Sequence, residues 1–199
     1  LGLSSTVERL HRIVERNTSE VLSALTELHA AGMLSSHDSG TTCRHDTIRD
    51  AVLARTPVAA RQLLHRRAAR ALGREVLKGS GVAELWECVN HWRCAGTPAN
   101  GVRLALALAE RLLCVGLAAD ALEVLSEVEK TAERLDYRLR ALSGQARAAR
   151  TLRDWDNLEA VVARWRGAQV DHGLIPPKHT RFELLQCEAL YNKTESMGD

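Results

Sequence analysis

GLAADALEVLSEV at residues 116–128 and RDWDNLEAVVARW at residues 153–165 share one spacing of turn and apolar residues, and this spacing predicts the fold class. Each stretch begins with a turn residue and places apolar or small residues five, nine and twelve positions later: Gly116, Ala121, Leu125, Val128 and Arg153, Leu158, Val162, Trp165. Steps of three and four residues put such side chains on one face of a helix. Each stretch therefore predicts a turn followed by the second helix of a helical hairpin.

Together with the breaks around them, these stretches predict about six helices, at about 83–95, 99–114, 118–134, 136–151, 155–169 and 180–193. The pattern resembles a tetratricopeptide repeat, in which small residues let paired helices approach closely. Its spacing is slightly longer than the usual ~34 residues, and the second copy has Arg153 and Leu158 in place of Gly116 and Ala121. A third unit would begin with a capping box at Thr180–Glu183 and stop unfinished, so we expect the chain to be truncated at its end.

The first third of the chain has a different organisation. Capping-box spacings at Ser5 and Asn17 start two amphipathic helices, two short extended segments surround a turn at 38–40, and Asp46 is suited to cap a third helix. Helix, helix, hairpin, helix is the order of a winged helix that lacks its first helix. We therefore predict a mainly all-α fold with three parts: a winged-helix-like domain at 1–56, a connecting amphipathic helix and linker at 57–80, and helical repeats at 81–199.

Composition and charge narrow the class of protein. Hydrophobic residues make up 45% of the 199 residues and aromatic residues 4%, which favours packed helices over a β-sandwich. The formal net charge of +2 provides no strong field to recruit nucleic acid or membrane. Five irregularly spaced cysteines, no signal peptide and no spanning segment predict a cytoplasmic protein with reduced thiols that does not contact membrane.

The stretch CRHDTIRDAV at 43–52 resembles the end of the winged helix in signal-transduction ATPases with numerous domains (STAND ATPases). LHRRAARAL at 64–72 and the segment at 90–98 are also similar to that family, most closely to its large ATP-binding LuxR-type, MalT-like transcriptional regulators. One departure is Cys43, where the family has a larger apolar residue. The resemblance covers nearly the whole chain and is most specific over residues 17–72.

The resemblance implies a role for this chain as part of a bacterial transcription regulator. His45 would face the β-phosphate of ADP held by an upstream ATPase domain, and Asp46 would fix the local turn. ADP or ATP with magnesium belongs to that parent protein. No phosphate loop occurs in the 199 residues, so this segment is expected to be non-catalytic, with no cofactor or metal of its own. Its repeats would bind an effector or a protein partner, and it is a possible homo-oligomer.

Several arginines suggest a basic surface between residues 44 and 74. We predict an interdomain contact there through Arg44, Arg49, Arg66, Arg67 and Arg70. A solvated arginine-rich helix and a nucleic-acid contact stay open as alternatives. The candidate recognition helix at 19–31 carries Glu20 and Glu27 and no lysine or arginine, so direct DNA contact by this segment is not expected.

Other groups of residues predict helix packing and not a metal or ligand site. Cys88, His91 and Cys94 would lie over about a third of a helix circumference, but zinc sites usually have a fourth ligand and more closely spaced pairs, so we expect buried thiols beside a packing histidine. The four tryptophans, Trp86, Trp92, Trp155 and Trp165, are expected to anchor helices against each other. Two other classes of function stay open: a stand-alone helical-repeat adaptor, and an accessory module of a multidomain kinase or cyclase.

Overall fold

A computed structural model describes residues 5–37, 40–76 and 81–173 of the chain. In this part the protein is mainly helical and has one small antiparallel β-hairpin, which confirms the predicted fold class. The chain divides into two compact units. Residues 1–79 and 90–97 belong to the first unit, and residues 80–89 and 98–199 belong to the second. No helix within the described ranges combines the length and the apolar character needed to span a bilayer.

The first unit contains the predicted helix, helix, hairpin, helix order followed by a long helix. Its elements are α1 (Val7–Val14), α2 (Thr18–Ala30), β1 (Leu34–His37), β2 (Gly40–Cys43), α3 (Asp46–Arg55) and α4 (Val58–Val76). Asn17 caps α2 as predicted, since its Oδ1 accepts the backbone N–H of Glu20 at 2.8 Å. The cap of α1 is Thr6, whose Oγ1 accepts the N–H of Arg9, so the predicted cap at Ser5 is wrong by one residue.

Ser5 has a different role, because its backbone extends the β-hairpin. It exchanges two hydrogen bonds of 3.0 Å with the backbone of Thr41. Next to this bridge, Gly40 has a φ of 129°, and a Cβ there would lie 2.7 Å from the carbonyl oxygen of Ser5. Only glycine combines that backbone conformation with so close an approach. The chain before α1 is thus joined to the hairpin by a contact that depends on Gly40.

The second unit is built from helices that follow one another along the chain. They are the first part of α5 (Val82–Cys94), a 3-10 turn (Pro98–Gly101), α6 (Val102–Cys114), α7 (Ala118–Thr131), α8 (Leu135–Leu152) and α9 (Trp155–Val170). Each helix from α6 to α9 contacts the next, and α6 also contacts α8. Short connections make such neighbours antiparallel hairpins. Residues predicted to face the core are buried, among them Ala121, Val128, Leu158 and Trp165.

Two turns occupy corresponding places in these hairpins. Gly116 follows α6 with a φ of 83°, and Arg153 follows α8 with a φ of 57°. Both residues therefore adopt the left-handed conformation that ends a helix, although glycine alone adopts it without strain. The correspondence between Gly116 and Arg153 in the sequence pattern is also a correspondence in backbone geometry.

Two predicted helix ends differ from the observed ends by three residues, and the others in this unit by one residue at most. The predicted helix 118–134 ends at Thr131, because Ala132 is extended and Arg134 caps the next helix, where it pairs with Asp136 at 3.0 Å. The predicted helix 99–114 starts as a 3-10 turn and becomes α-helical at Val102. The predicted helix 180–193 and its capping box lie outside the described residues.

Candidate functional site

The turn between the hairpin and α3 places His45 at the start of a helix. His45 is the N-cap residue: its backbone is extended and its carbonyl accepts the N–H groups of Ile48 and Arg49 at 3.1 and 3.3 Å. The thiol of Cys43 donates to the same carbonyl at 3.4 Å. The His45 side chain is exposed and makes no capping hydrogen bond. The predicted cap, Asp46, is wrong by one position, because Asp46 already belongs to the first helical turn.

Asp46 contributes charge to the start of α3. Its Oδ1 lies 2.8 Å from Nη1 of Arg49, while Asp50 pairs with the same guanidinium at 3.1 Å. The hydrogen bond that Arg49 donates to Asp50 and the negative charges of Asp46 and Asp50 raise the pKa of Arg49. A carboxylate in the first turn also interacts favourably with the helix dipole. Asp46 therefore stabilises the start of α3 through its ion pair with Arg49 and its interaction with the helix dipole.

The structure distributes the predicted basic residues over different environments. Arg67 pairs with Glu15 at 2.8 Å and thereby links α4 to α1. Arg66 is half-buried, and its Nε is enclosed without a hydrogen-bond partner among the described residues. Arg44 and Arg70 are exposed. Arg49 and Arg67 form ion pairs with nearby carboxylates. Of the five predicted arginines, Arg44 and Arg70 therefore contribute most of the exposed positive charge.

Helix α3 leaves its apolar side chains exposed or only partly buried. None of its residues is buried, although Ile48, Val52 and Leu53 are apolar; Val52 is 57% exposed. On α2, Val21 is buried, while the apolar residues Leu22 and Leu28 are exposed. A Val or Leu side chain gains roughly 1.5–3 kcal/mol when fully buried. Covering α3 would therefore be favourable.

The histidine of the Cys88, His91 and Cys94 group contacts a second histidine that sequence reasoning missed. His91 is buried on α5, and its Nδ1 lies 2.8 Å from Nδ1 of His65 on α4. Cys88 is fully buried, as predicted, whereas Cys94 is exposed. Across the described ranges, no three or more His, Cys, Asp or Glu side chains are grouped to hold a metal. The contact between the two Nδ1 atoms of His65 and His91 therefore links α4 to α5.

In the second unit, a polar cluster joins three helices. Gln145 of α8 is 1% exposed, and its amide nitrogen donates to the carbonyl of Leu125 and to the carboxylate of Glu129 on α7. Arg164 of α9 donates to the amide oxygen of Gln145 at 2.9 Å and to Glu129 at 3.1 Å. We call Glu129, Gln145 and Arg164 the three-helix polar cluster. A buried polar group is tolerated there because its hydrogen bonds are made within the protein.

Comparison of the chain with protein-family models, curated proteins and solved structures found no match in any of the three.

Two of these polar contacts differ in how far the sequence could indicate them. His65 and His91 are 26 residues apart on separate helices, and no sequence pattern relates them to each other. Gln145 had a detectable signal, since it is a polar residue in the apolar face that contains Leu142 and Ala149.

Proposed function

We propose that this chain is a non-catalytic sensing and interaction segment of a STAND-type transcriptional regulator. Its first unit would dock on a nucleotide-holding domain of the same protein, and its helical hairpins would bind an effector or a protein partner. The observation that carries the proposal is α3, which starts at an exposed His45 and buries none of its side chains. The stretch CRHDTIRDAV at 43–52 supplies the resemblance that gives this helix a neighbour.

The exposure of α3 supports docking on energetic grounds. A helix of ten residues is only marginally stable in water without packing, because nucleation is unfavourable. Helix α3 contacts β2 but buries no residue in this contact. A neighbouring domain that covers Val52 and Leu53 would therefore stabilise both the helix and the complex. Docking would also place the helix start, and His45 with it, against the neighbour.

The imidazole of His45 has the chemistry needed to report a nucleotide. An N–H of the ring can donate to a phosphate oxygen, and charge-assisted hydrogen bonds are among the stronger ones. The ring is exposed and makes no cap to its own helix, so it is available for such a contact. The nucleotide with its magnesium would be held by the neighbouring domain. A change in the phosphate at this contact would then shift the docking equilibrium of the first unit.

The nucleotide contact is tested with protein that contains this chain together with the domain preceding it. We expect His45→Ala to release fluorescent ADP about 10-fold to 100-fold faster, because a hydrogen bond to a charged group contributes ~1.5–3 kcal/mol. His37→Ala, an exposed histidine on β1, is the control and should release ADP at the unchanged rate. Equal ADP release from both variants, or a preceding segment without a phosphate loop, would contradict the proposal.

Docking through α3 is tested separately by adding charge to its apolar side. Val52→Glu should weaken the association of the first unit with the nucleotide-holding domain, as seen by increased protease cleavage between them. Ala54→Glu is the matched control, since Ala54 is exposed on the same helix about 200° away from Val52. The same cleavage rate in both variants would show that the apolar side of α3 does not dock.

A second candidate function is a stand-alone helical-repeat adaptor that binds a protein and never contacts nucleotide. The observation favouring it is the second unit, where α6 to α9 form a core from their own residues. This alternative predicts that His45→Ala changes neither nucleotide binding nor partner binding. Substitutions on exposed positions of α6 to α9 would then alter partner affinity alone.

A further inference from the structure

The contact between His65 and His91 joins two helices through identical atoms. Their Nδ1 atoms are 2.8 Å apart, and the ring centroids are 5.1 Å apart with an angle of 45° between the rings. His65 is half-buried on α4, and His91 is 6% exposed on α5. The distance is that of a good hydrogen bond. One of the two Nδ1 atoms must therefore donate a proton and the other accept it.

This requirement restricts the tautomers of the pair. A neutral imidazole carries one N–H, and the hydrogen bonds of the ring determine which nitrogen holds it. One ring must hold its proton on Nδ1, while the other exposes an Nδ1 lone pair. If both rings carry two protons, both Nδ1 atoms are donors and both rings are positive. The hydrogen bond is then lost and replaced by repulsion at close range.

We propose that His65 and His91 form a proton-sensitive clamp between α4 and α5, which is closed when the two Nδ1 atoms share one proton and opens when both rings are charged. The clamp is a property of the first unit alone and does not depend on nucleotide. Residues of α5 up to Val89 belong to the second unit, whereas Asn90–Cys94 belong to the first. The clamp therefore acts on the part of α5 that is packed in the first unit.

The surroundings of the pair favour the neutral, closed state. Burial and the neighbouring His65 lower the pKa of His91 to about 4. Burial and the positive charge of Arg61, one turn earlier on α4, lower the pKa of His65. Among the other charged groups on these helices, Arg67 is paired with Glu15, which follows α1, and Glu87 helps to raise the pKa of the Cys88 thiol. The pKa of both rings is therefore lowered below that of an ordinary histidine, which favours the neutral form of the pair at pH 7.

The sign of the pH effect follows from these directions. A histidine in the unfolded chain takes up a proton near pH 6.5, and the folded protein does so only at lower pH. The contribution of the pair to stability is complete above pH 6.5 and is lost as pH falls toward 4. For a shift from 6.5 to about 4, the His91 site alone raises the unfolding equilibrium constant roughly 20-fold between pH 7 and pH 5.

The tautomers are tested directly by nitrogen-15 NMR of the histidine rings in the unmodified protein. At pH 7.5 we expect one of the two rings, His65 or His91, to be protonated at Nδ1 and the other to have an unprotonated Nδ1. Two rings that are both protonated at Nε2 would overturn the proposal. Retention of stoichiometric zinc between the rings would also overturn it, since a metal would replace the shared proton.

The clamp is tested by urea unfolding at pH 7.5 and pH 5. His91→Asn keeps a polar atom near the Nδ1 position but cannot become charged, so it should lose much less stability on acidification than the unsubstituted protein. His37→Asn, which changes an exposed histidine, should retain the full loss of about 20-fold or more. An equal pH response in His91→Asn and His37→Asn would refute the clamp. If His91→Asn does not fold, the NMR measurement decides alone.

Discussion

The side-chain amide of Gln145 donates to the carboxylate of Glu129 across 2.8 Å, from α8 to α7, at a position where Gln145 is 1% exposed. This bond lies beside a core of Leu, Val and Ala side chains. Arg164 completes it from α9 by donating to both partners. The orientation of three successive helices is therefore specified by directional contacts in addition to apolar packing.

Replacing Gln145 by leucine tests the three-helix polar cluster. Leucine fills a similar volume but leaves a carboxylate oxygen of Glu129 without its donor and Arg164 without the amide acceptor, whereas the carbonyl of Leu125 keeps its bond within α7. We expect a loss of about 1–3 kcal/mol in the free energy of unfolding, which is the cost of one unsatisfied buried group. Urea denaturation of the second unit measures this change.

The control for Gln145→Leu is an exposed contact on the same helix. Arg147 of α8 pairs with Glu110 of α6 at 2.8 Å, but both side chains are largely exposed. Arg147→Leu should therefore cost less than about 1 kcal/mol. If the two variants are equally stable, the three-helix polar cluster does not contribute as a buried network.

Gly144→Ala tests the close approach of α7 and α8. A Cβ on Gly144 would lie 2.8 Å from Cδ1 of Leu125, and Leu125 is itself 2% exposed in the core. Overpacking of a core typically costs ~1–3 kcal/mol, which exceeds the ~1 kcal/mol that alanine gains over glycine in a helix. We expect a net loss of about 1 kcal/mol in thermal or urea unfolding.

A double-mutant cycle identifies the cause of that loss. In a Leu125→Val background the crowded Cδ atoms are absent, so Gly144→Ala should become neutral or stabilising. A cost for Gly144→Ala that is the same in both backgrounds would show that Leu125 is not the residue that limits the approach.

Arg153→Gly should stabilise the protein. Arg153 has a φ of 57°, a left-handed conformation that costs an ordinary residue about 1 kcal/mol and glycine nearly nothing. The greater freedom of glycine in the unfolded chain offsets part of this gain, so we expect a net increase of about 0.5 kcal/mol in unfolding free energy. Gly116→Ala is the reciprocal variant: space is available around Gly116, so its expected loss of about 1 kcal/mol reports the backbone alone. The changes in unfolding free energy of the two variants must have opposite signs. A loss of stability in Arg153→Gly would contradict the left-handed conformation of Arg153.

Cys88 should be far less reactive than Cys94 on the same helix. Burial and the nearby Glu87 raise the pKa of the Cys88 thiol to about 11, while Cys94 is exposed. Two single-cysteine variants, with the remaining cysteines changed to serine, are treated with a disulfide reagent at pH 8. Cys88 should react at least 100-fold more slowly, because a two-unit rise in pKa lowers the thiolate fraction about 100-fold. Urea should abolish the difference.

The same raised pKa predicts a pH effect at the alkaline end. Above its unfolded pKa near 9, the Cys88 thiol ionises in the unfolded chain but stays protonated in the folded protein until about 11. Stability should therefore decline between pH 9 and pH 11, and Cys88→Ala should reduce this decline. An unchanged decline in Cys88→Ala would assign it to other groups.

The helical hairpins were predictable because a core face leaves a fixed spacing in the sequence. Ala121 and Leu158 are fully buried as that spacing requires. The exposure of Val52 was not predictable, since an apolar residue on an amphipathic helix has the same sequence pattern whether its side chain is buried or exposed. The cap at His45 was assigned to Asp46 because carboxylates favour caps in general, whereas the observed His45 takes the position through its backbone alone.

The candidate polar contacts were harder to predict for a different reason. His65 and His91 meet only because two helices bring them together, and no local rule relates residues on separate helices. Gln145 was marked by its polarity in an apolar face, but its partners Glu129 and Arg164 depend on the packing of α7 and α9. Local sequence patterns specify helices and faces, while contacts between faces require the tertiary structure.

The matched turns at Gly116 and Arg153 have a consequence for protein engineering. Residues 117–153 contain one complete α7 and α8 between two backbone conformations of the same hand. A second copy of this segment, inserted after Arg153, would enter and leave through turns that the protein already uses. The helical array can therefore be lengthened by duplicating residues 117–153, with glycine as the preferred residue at each new junction.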